Sequence, residues 1–270
     1  MKKFISLALA AFAVCTTFAL ASCNAKATYV ATDIVSADNE EYGFVISKTA
    51  SKKAELVAAM NKVIGEISID DIVEYYTAVE EGTTPSVTLN FANLADNTGD
   101  TLQVYTNAEF PPFDFRDEDN NVVGVDMYIM ELVAEELNMK VNFNDIAFDT
   151  VIGKVAMEDN AIGASGITIT DERKEEVDFS EAYFSTVQSI ISKDSEAFAN
   201  LADLKGKKIG VQKGTTGWFL VDEAIKSGVL KDTGAEVITY DSGAVAYTAL
   251  KAGKCDVVVI DKLPANKLVK

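Results

Sequence analysis

The sequence predicts an α/β fold, and three observations carry that reading. Short runs rich in β-branched residues alternate with longer stretches whose apolar residues recur at helical spacing. One run, Asp256-Val-Val-Val-Ile260-Asp261, is apolar without interruption, as a parallel strand buried on both faces would be. The 270 residues are 48% hydrophobic with a mean hydropathy of +0.10, a globular balance long enough for two modest domains.

In chain order, strands are expected at 31–36, 43–47, 102–106, 141–146, 187–192, 208–212, 236–240 and 256–260. A helix over 53–67 lines up Leu56, Met60, Val63, Ile64 and Ile67 on one face. A second, over 126–138, turns Ile129, Leu132, Val133 and Leu137 inward. Further helices fit 216–226, 244–252 and 263–269. The stretch 81–100 is rich in Gly, Thr, Asn and Asp around Pro85 and reads as a linker or long surface loop.

The N-terminus reads as an address. Met1-Lys-Lys3 is basic, 4–21 is apolar, and Ser22-Cys23 follows, the order of a secretory signal. The apolar run is interrupted by Ser6 and Thr16-Thr17 and falls short of the ~20 residues of a membrane span. Leu20-Ala21-Ser22-Cys23 resembles a bacterial lipobox, which implies cleavage before Cys23 and lipidation of its thiol. Two or more acyl chains would anchor the protein stably.

Composition removes several chemistries. The chain has no histidine, so no Ser-His-Asp or Cys-His pair and no histidine-ligated zinc. Cys255 is the one cysteine beyond Cys15 and Cys23, which leaves no intrachain disulfide framework and no CxxC site. With 24 Lys+Arg against 42 Asp+Glu, the net charge of −18 argues against a nucleic-acid partner.

Four segments place polar groups at element boundaries. Asn107-Ala-Glu-Phe110-Pro-Pro-Phe113 leaves a strand through two prolines and exposes an aromatic; it is also what an ordinary loop looks like. Ser165-Gly166-Ile-Thr168-Ile-Thr170-Asp-Glu-Arg173 leads into a helix start. Arg173 and Arg116 are the two arginines of the chain, and a guanidinium grips a carboxylate with two parallel hydrogen bonds. The alternative is a capped helix with a surface arginine. Lys213-Gly214-Thr215-Thr216-Gly217 offers N–H groups at a helix start to an anion, or plain threonine capping. It lacks the length and lysine placement of a P-loop. Asp261 ends a buried strand where open α/β sheets bind ligands, though it equally suits a cap for the helix after it. Phe148-Asp149 opens another helix, and burial alone would account for Phe148. Together these parts supply a cation for a carboxylate, N–H donors, an acid for an ammonium and aromatics for a side chain, the requirements of an α-amino acid.

In this order the motifs resemble the polar amino acid-binding proteins of bacterial ABC importers, the extracellular family 3 solute receptors. The resemblance covers residues 102–269. Its pieces are Phe110-Pro-Pro-Phe113, Val123-Gly-Val-Asp126, Phe148-Asp149, Thr168-Ile-Thr170-Asp-Glu-Arg173, Val177-Asp-Phe-Ser180, Leu204-Lys-Gly-Lys-Lys-Ile-Gly210, Lys213-Gly-Thr-Thr216, Leu250-Lys-Ala-Gly253 and Asp256–Asp261. It implies a two-lobed, type II periplasmic-binding-protein-like fold. Each lobe would be a mixed, mainly parallel sheet flanked by helices, joined by two hinge strands near 189–193 and 41–46. Family members continue past the strand ending at Asp261 and return to the first lobe. Here Asn39-Glu-Glu-Tyr-Gly-Phe-Val-Ile-Ser47, helix 53–67 and 69–76 look like that tail, so the resemblance points to a circular permutant. Its parts would be a signal peptide (1–22), an anchor linker (23–28), lobe two (29–40), lobe one (41–80), a permutation linker (81–100), lobe one (101–190) and lobe two (191–270).

The resemblance also implies roles. Arg173 would clamp the ligand α-carboxylate with N–H groups at Thr168 and Thr216. Asp261 would take the α-ammonium, shared with the Ser165 carbonyl and the Thr168 hydroxyl. Phe110 and Phe148 would flank the side chain, with Thr215, Gly166 and Asn107 completing the site. Asn107 stands where receptors for cationic amino acids often carry an acid, and Gly217 where some relatives carry a longer polar side chain. The implied protein is a monomeric receptor, exported and lipid-anchored to the outer face of the cytoplasmic membrane. It would need neither cofactor nor metal, and its partners would be a free polar amino acid and the permease subunits. A dehydratase-like enzyme on this fold and an amino acid sensor domain are the alternatives.

Overall fold

The computed structural model describes residues 27–35, 37–94 and 97–270. The expected signal peptide, Cys15 and the expected lipidation site at Cys23 lie outside the described residues. The chain forms two lobes, each a five-stranded sheet with helices on both faces.

Lobe one has the strand order β7-β4-β8-β3-β9. Here β4 (Thr101–Thr106) runs parallel to β7 (Lys140–Asp145) and β8 (Ile162–Gly163). The strand β3 (Val45–Ser47) is antiparallel to both β8 and β9 (Val177–Phe179). Alternation along the strands divides the core. Ile46, Leu102 and Val104 pack under α1 (Lys53–Glu66), α2 (Ile69–Glu80) and α3 (Val125–Glu136), whereas Val45 and Tyr105 meet Val151 and Val155 of α4 (Phe148–Met157). The helix faces read from the sequence are the buried ones. Leu56, Met60 and Val63 of α1 join Ile129 and Val133 of α3 in one cluster. Ser68 caps α2 by accepting from the Asp71 N–H, with Asp70 and Asp71 in a first turn that favours acids.

Lobe two has the order β1-β11-β14-β12-β13. Here β12 (Lys208–Gln212) runs parallel to β13 (Glu236–Tyr240) and β14 (Val257–Asp261), while β11 (Gln188–Lys193) is antiparallel to β14 and to β1 (Tyr29–Asp33). Every residue of β14 is buried, as its unbroken apolar run predicts, though only one of its two neighbours is parallel. Val257 and Val259 face α6 (Thr216–Lys226), and Val258 and Ile260 face α7 (Gly243–Lys251) and α8 (Lys262–Leu268).

Two antiparallel strands join the lobes. Tyr42 pairs with Phe184, Glu41 with Ser185 and Glu40 with Thr186, linking β2 (Glu40–Tyr42) to β10 (Phe184–Thr186). One crossing therefore lies upstream of the expected 189–193. Residues 188–193, close to the strand expected at 187–192, are already inside the sheet of lobe two, and Val187 separates them from the crossing strand 184–186. The other crossing falls at 40–42, after which β3 enters lobe one.

The described residues of 81–100 form a strap rather than a slack loop. Leu89 and Leu94 pack on the core of lobe one, and Phe91 meets the rings of Tyr75 and Tyr128. The Tyr128 hydroxyl donates to the Asn90 carbonyl at 2.7 Å, and the Asn97 amide to the Met139 carbonyl at 2.6 Å. Away from the cleft, α8 also reaches lobe one. Lys267 is ion-paired with Glu80 and Glu81, and Lys270 lies 2.6 Å from Glu81. These two lysines pull the Glu81 carboxyl down to about 2.

Candidate functional site

The lobes close on a small cavity beside the two crossing strands. The structure brings all ten residues singled out in the sequence to its wall: Asn107, Phe110, Phe148, Ser165, Gly166, Thr168, Arg173, Thr215, Thr216 and Asp261. Gln212 joins them.

Arg173 lies in the first turn of α5 (Asp171–Glu176), which Thr170 caps by accepting from the Arg173 N–H. This cap roots the arginine so that its side chain turns inward, where the residue is only 8% exposed. Its guanidinium donates to the Thr168 carbonyl at 2.8 Å and, across the cleft, to the Gly214 carbonyl at 3.1 Å. It also sits 5.7 Å from the centroid of the Phe148 ring. Burial lowers its pKa from the ordinary arginine value, and the Glu40 and Asp261 carboxylates oppose that shift.

Of the two sequence readings of Asp261, the structure speaks against the cap. The residue stands at the N-cap position of α8, yet its carboxylate makes no capping bond. It accepts instead from the Tyr42 hydroxyl at 2.7 Å. Burial above all, and then the charge of Glu40, pushes its carboxyl up to about 7, against the hydrogen bond from Tyr42.

Thr168 faces Tyr42 in an isolated antiparallel bridge. The flanking bonds run from the Gly43 N–H to the Ile167 carbonyl and from the Ile169 N–H to the Glu41 carbonyl, so the Thr168 amide takes no part in the pairing. Thr216 opens α6, where first-turn N–H groups have no intrahelical acceptor, and Thr215 is the cap that accepts from the Trp218 N–H. The expected Lys213–Thr216 anion site is thus a helix start capped by Thr215, with Thr215 and Thr216 on the cavity wall. Gly214 is held at φ +79°, and a Cβ there would come within 2.8 Å of the Asp149 Cβ of lobe one. Lys213 bonds the same Asp149 at 2.7 Å.

Two carboxamides of the cavity wall meet across the cleft. Gln212 donates to Asn107 Oδ1 across the cleft at 3.0 Å, while the Asn107 amide donates to the Ile146 carbonyl. The floor is braced from below. Asp126 accepts from the Gly166 N–H and the Tyr183 hydroxyl, and Gly166 sits at φ +53° against Phe110, with no room for a side chain. Asp126 and Asp114 share one buried region, and desolvation raises both carboxyls.

Sequence reasoning missed Glu40, Tyr42, Gln188 and Gln212. A Cβ at Gly217 would meet Gln188 Oε1 at 2.7 Å, so the longer side chain some relatives carry there would require Gln188 to shift. Trp218 turns away from the cavity, packing on Phe219 and the core of lobe two.

The raised Asp261 carboxyl has a measurable consequence if a cation pairs with it. Pairing favours the ionised form, so binding releases a proton below about pH 7, and affinity falls as pH drops through that value. From about pH 8 to about pH 6 the dissociation constant should rise by several-fold, at most ~tenfold per unit below the pKa. Titration calorimetry in buffers of different ionisation heat reads the proton directly. A pH-independent affinity would contradict the assignment.

A fold of two α/β lobes joined by two crossing strands, with an arginine and an acid facing one cavity between them, defines a type II periplasmic binding protein. The chain belongs to the bacterial extracellular solute-binding proteins, family 3, whose pattern residues 102–231 match. It is 31% identical to the L-cystine-binding protein TcyJ of Escherichia coli (strain K12) over 172 residues, 63% of this chain and 62% of that protein. The chain thus spans about three-fifths of the length of this curated relative. An ancestral arginine-binding protein bound to arginine superimposes with a TM-score of 0.57 at 40% identity, covering 63% of this chain and 73% of that one. An ancestral amino acid-binding protein that is a precursor of cyclohexadienyl dehydratase gives a TM-score of 0.53 at 33% identity, covering 60% of this chain and 70% of that one.

Proposed function

We propose that the chain is the amino acid-binding receptor of an ABC importer, closing its lobes on one free α-amino acid and presenting the closed form to a membrane permease. The observation that carries this reading is the placement of Arg173 and Asp261 on one small cavity, each supplied by a different lobe. Arg173 and the N–H groups of Thr168 and Thr216 hold the α-carboxylate. Asp261, the Ser165 carbonyl and the Thr168 hydroxyl take the three N–H donors of the ammonium. Phe110 and Phe148 flank the side chain, which ends at the Asn107–Gln212 pair. A ligand that touches both lobes stabilises the closed arrangement in proportion to its preference for it. The names of the relatives support amino acids as the ligand class.

The same reading includes export, the Cys23 lipid anchor and a monomeric state. It also includes the circular permutation, supported by chain order: β3, α1 and α2 precede β4, yet fill the core of the lobe β4 belongs to. The dehydratase precursor among the structural neighbours raises the enzyme alternative. The binder is favoured because Asp261 is held by Tyr42 within a binding pair and the chain has no histidine for proton transfer. A melting screen against the common amino acids, cystine and ornithine tests the proposal, since a native-state ligand raises the melting temperature. At least one should do so; a panel with no shift would overturn it.

A further inference from the structure

We infer that Glu40, on the crossing strand β2, is a selectivity residue that sets the hydroxyl of Thr168 to accept hydrogen bonds, so that the site requires an ammonium. The inference rests on the proposed amino acid site and extends it to a residue that does not line the cavity itself.

Glu40 reaches from the hinge to both lobes. Its Oε2 accepts from the Thr168 hydroxyl of lobe one at 2.9 Å and from the Thr216 hydroxyl of lobe two at 2.8 Å. Its Oε1 accepts from the Gln188 amide at 3.1 Å, and the same amide lies 3.3 Å from the Thr216 hydroxyl. A hydroxyl has one proton and two lone pairs, whereas a carboxylate only accepts. The single donor of each threonine is therefore committed to Glu40, and only acceptor capacity is left for the cavity. Asp261 and Ser165 line the same cavity as Thr168, and a carboxylate and a carbonyl also only accept. An ammonium, with three donors and no acceptor, matches three such groups; a hydroxyl or a bare methylene leaves acceptors unpaired in a buried site.

Replacing Glu40 by glutamine keeps the shape and removes this polarity. An amide N–H facing Thr168 would take a lone pair of its hydroxyl, freeing the threonine proton to point at the ligand nitrogen and repel it. A purely structural Glu40 would instead weaken every ligand alike.

The test is calorimetry of the full chain and of Glu40→Gln with two probes, the amino acid identified by the melting screen and its 2-hydroxy acid counterpart. The expected result is that Glu40→Gln weakens the amino acid by about tenfold or more and the hydroxy acid by less than about twofold. Unchanged amino acid affinity, or an equal loss for both probes, would overturn the inference. Should Glu40→Gln not fold, Thr168→Val gives the second arm and must lose the same amine preference; retained preference there overturns it. Wild-type chain that binds no amino acid would defeat the proposed function itself, an outcome separate from wild-type binding with a normal Glu40→Gln.

Discussion

Arg173→Ala should abolish useful amino acid binding. The guanidinium is buried, and in the proposed complex it is the cation facing the ligand carboxylate. Stripping a partner from a buried charge pair costs at least ~2 kcal/mol, about thirtyfold in the dissociation constant. Arg173→Lys should not restore binding, because an ammonium cannot hold the Thr168 and Gly214 carbonyls and a carboxylate together as one planar fork does. Calorimetry on the folded variant reads the effect, and near-native affinity would remove Arg173 from the site.

Phe44→Ala is the second large effect, on stability rather than binding. Phe44 is fully buried between β2 and β3, with its ring stacked on Tyr183 at 4.5 Å. Its backbone is tied to Ser180 in both directions, accepting from the Ser180 N–H and donating to the Ser180 hydroxyl. Truncation should cost ~3–5 kcal/mol in chemical denaturation, the range for a large aromatic removed from a packed core. The site of the change matters as much as its size. Phe44 belongs to the segment that precedes β4 in the chain, so a loss below ~1 kcal/mol, the scale of surface substitutions, would mean that this segment does not complete lobe one.

The wall of the cavity was largely legible in the sequence, because each contributor sits in a short motif at the end of a strand or the start of a helix. Arg173 follows a threonine cap, Thr216 follows a glycine turn, and Asp261 closes an unbroken apolar strand. The residues that went unread share a different property. Glu40 and Tyr42 act on Thr168, Thr216 and Asp261 from more than a hundred residues away, through side chains whose local sequence shows only a polar edge strand. Gln212 looked like the last residue of β12, and nothing nearby in sequence signals its partner Asn107. The fold shows the same division. Helix faces and strand positions followed from periodicity to within a few residues. The break at Val187 and the docking of 81–100 depend on tertiary contacts, through Leu89, Phe91 and Leu94 in the second case, which a polar composition conceals.

The cleft combines few charges with many fixed dipoles. Arg173 and Asp261 are both costly to bury, and each carries protein partners that satisfy part of its hydrogen-bonding capacity. That arrangement places strong, oriented groups where the zwitterion of the proposed complex would complete them.

The most direct measurement of the central claim is titration calorimetry of the wild-type chain with the amino acid that shifts its melting temperature. Binding of one amino acid per chain, with the heat lost in Arg173→Ala, is the result expected. An amino acid panel that gives no heat, or binding that Arg173→Ala leaves intact, would contradict it.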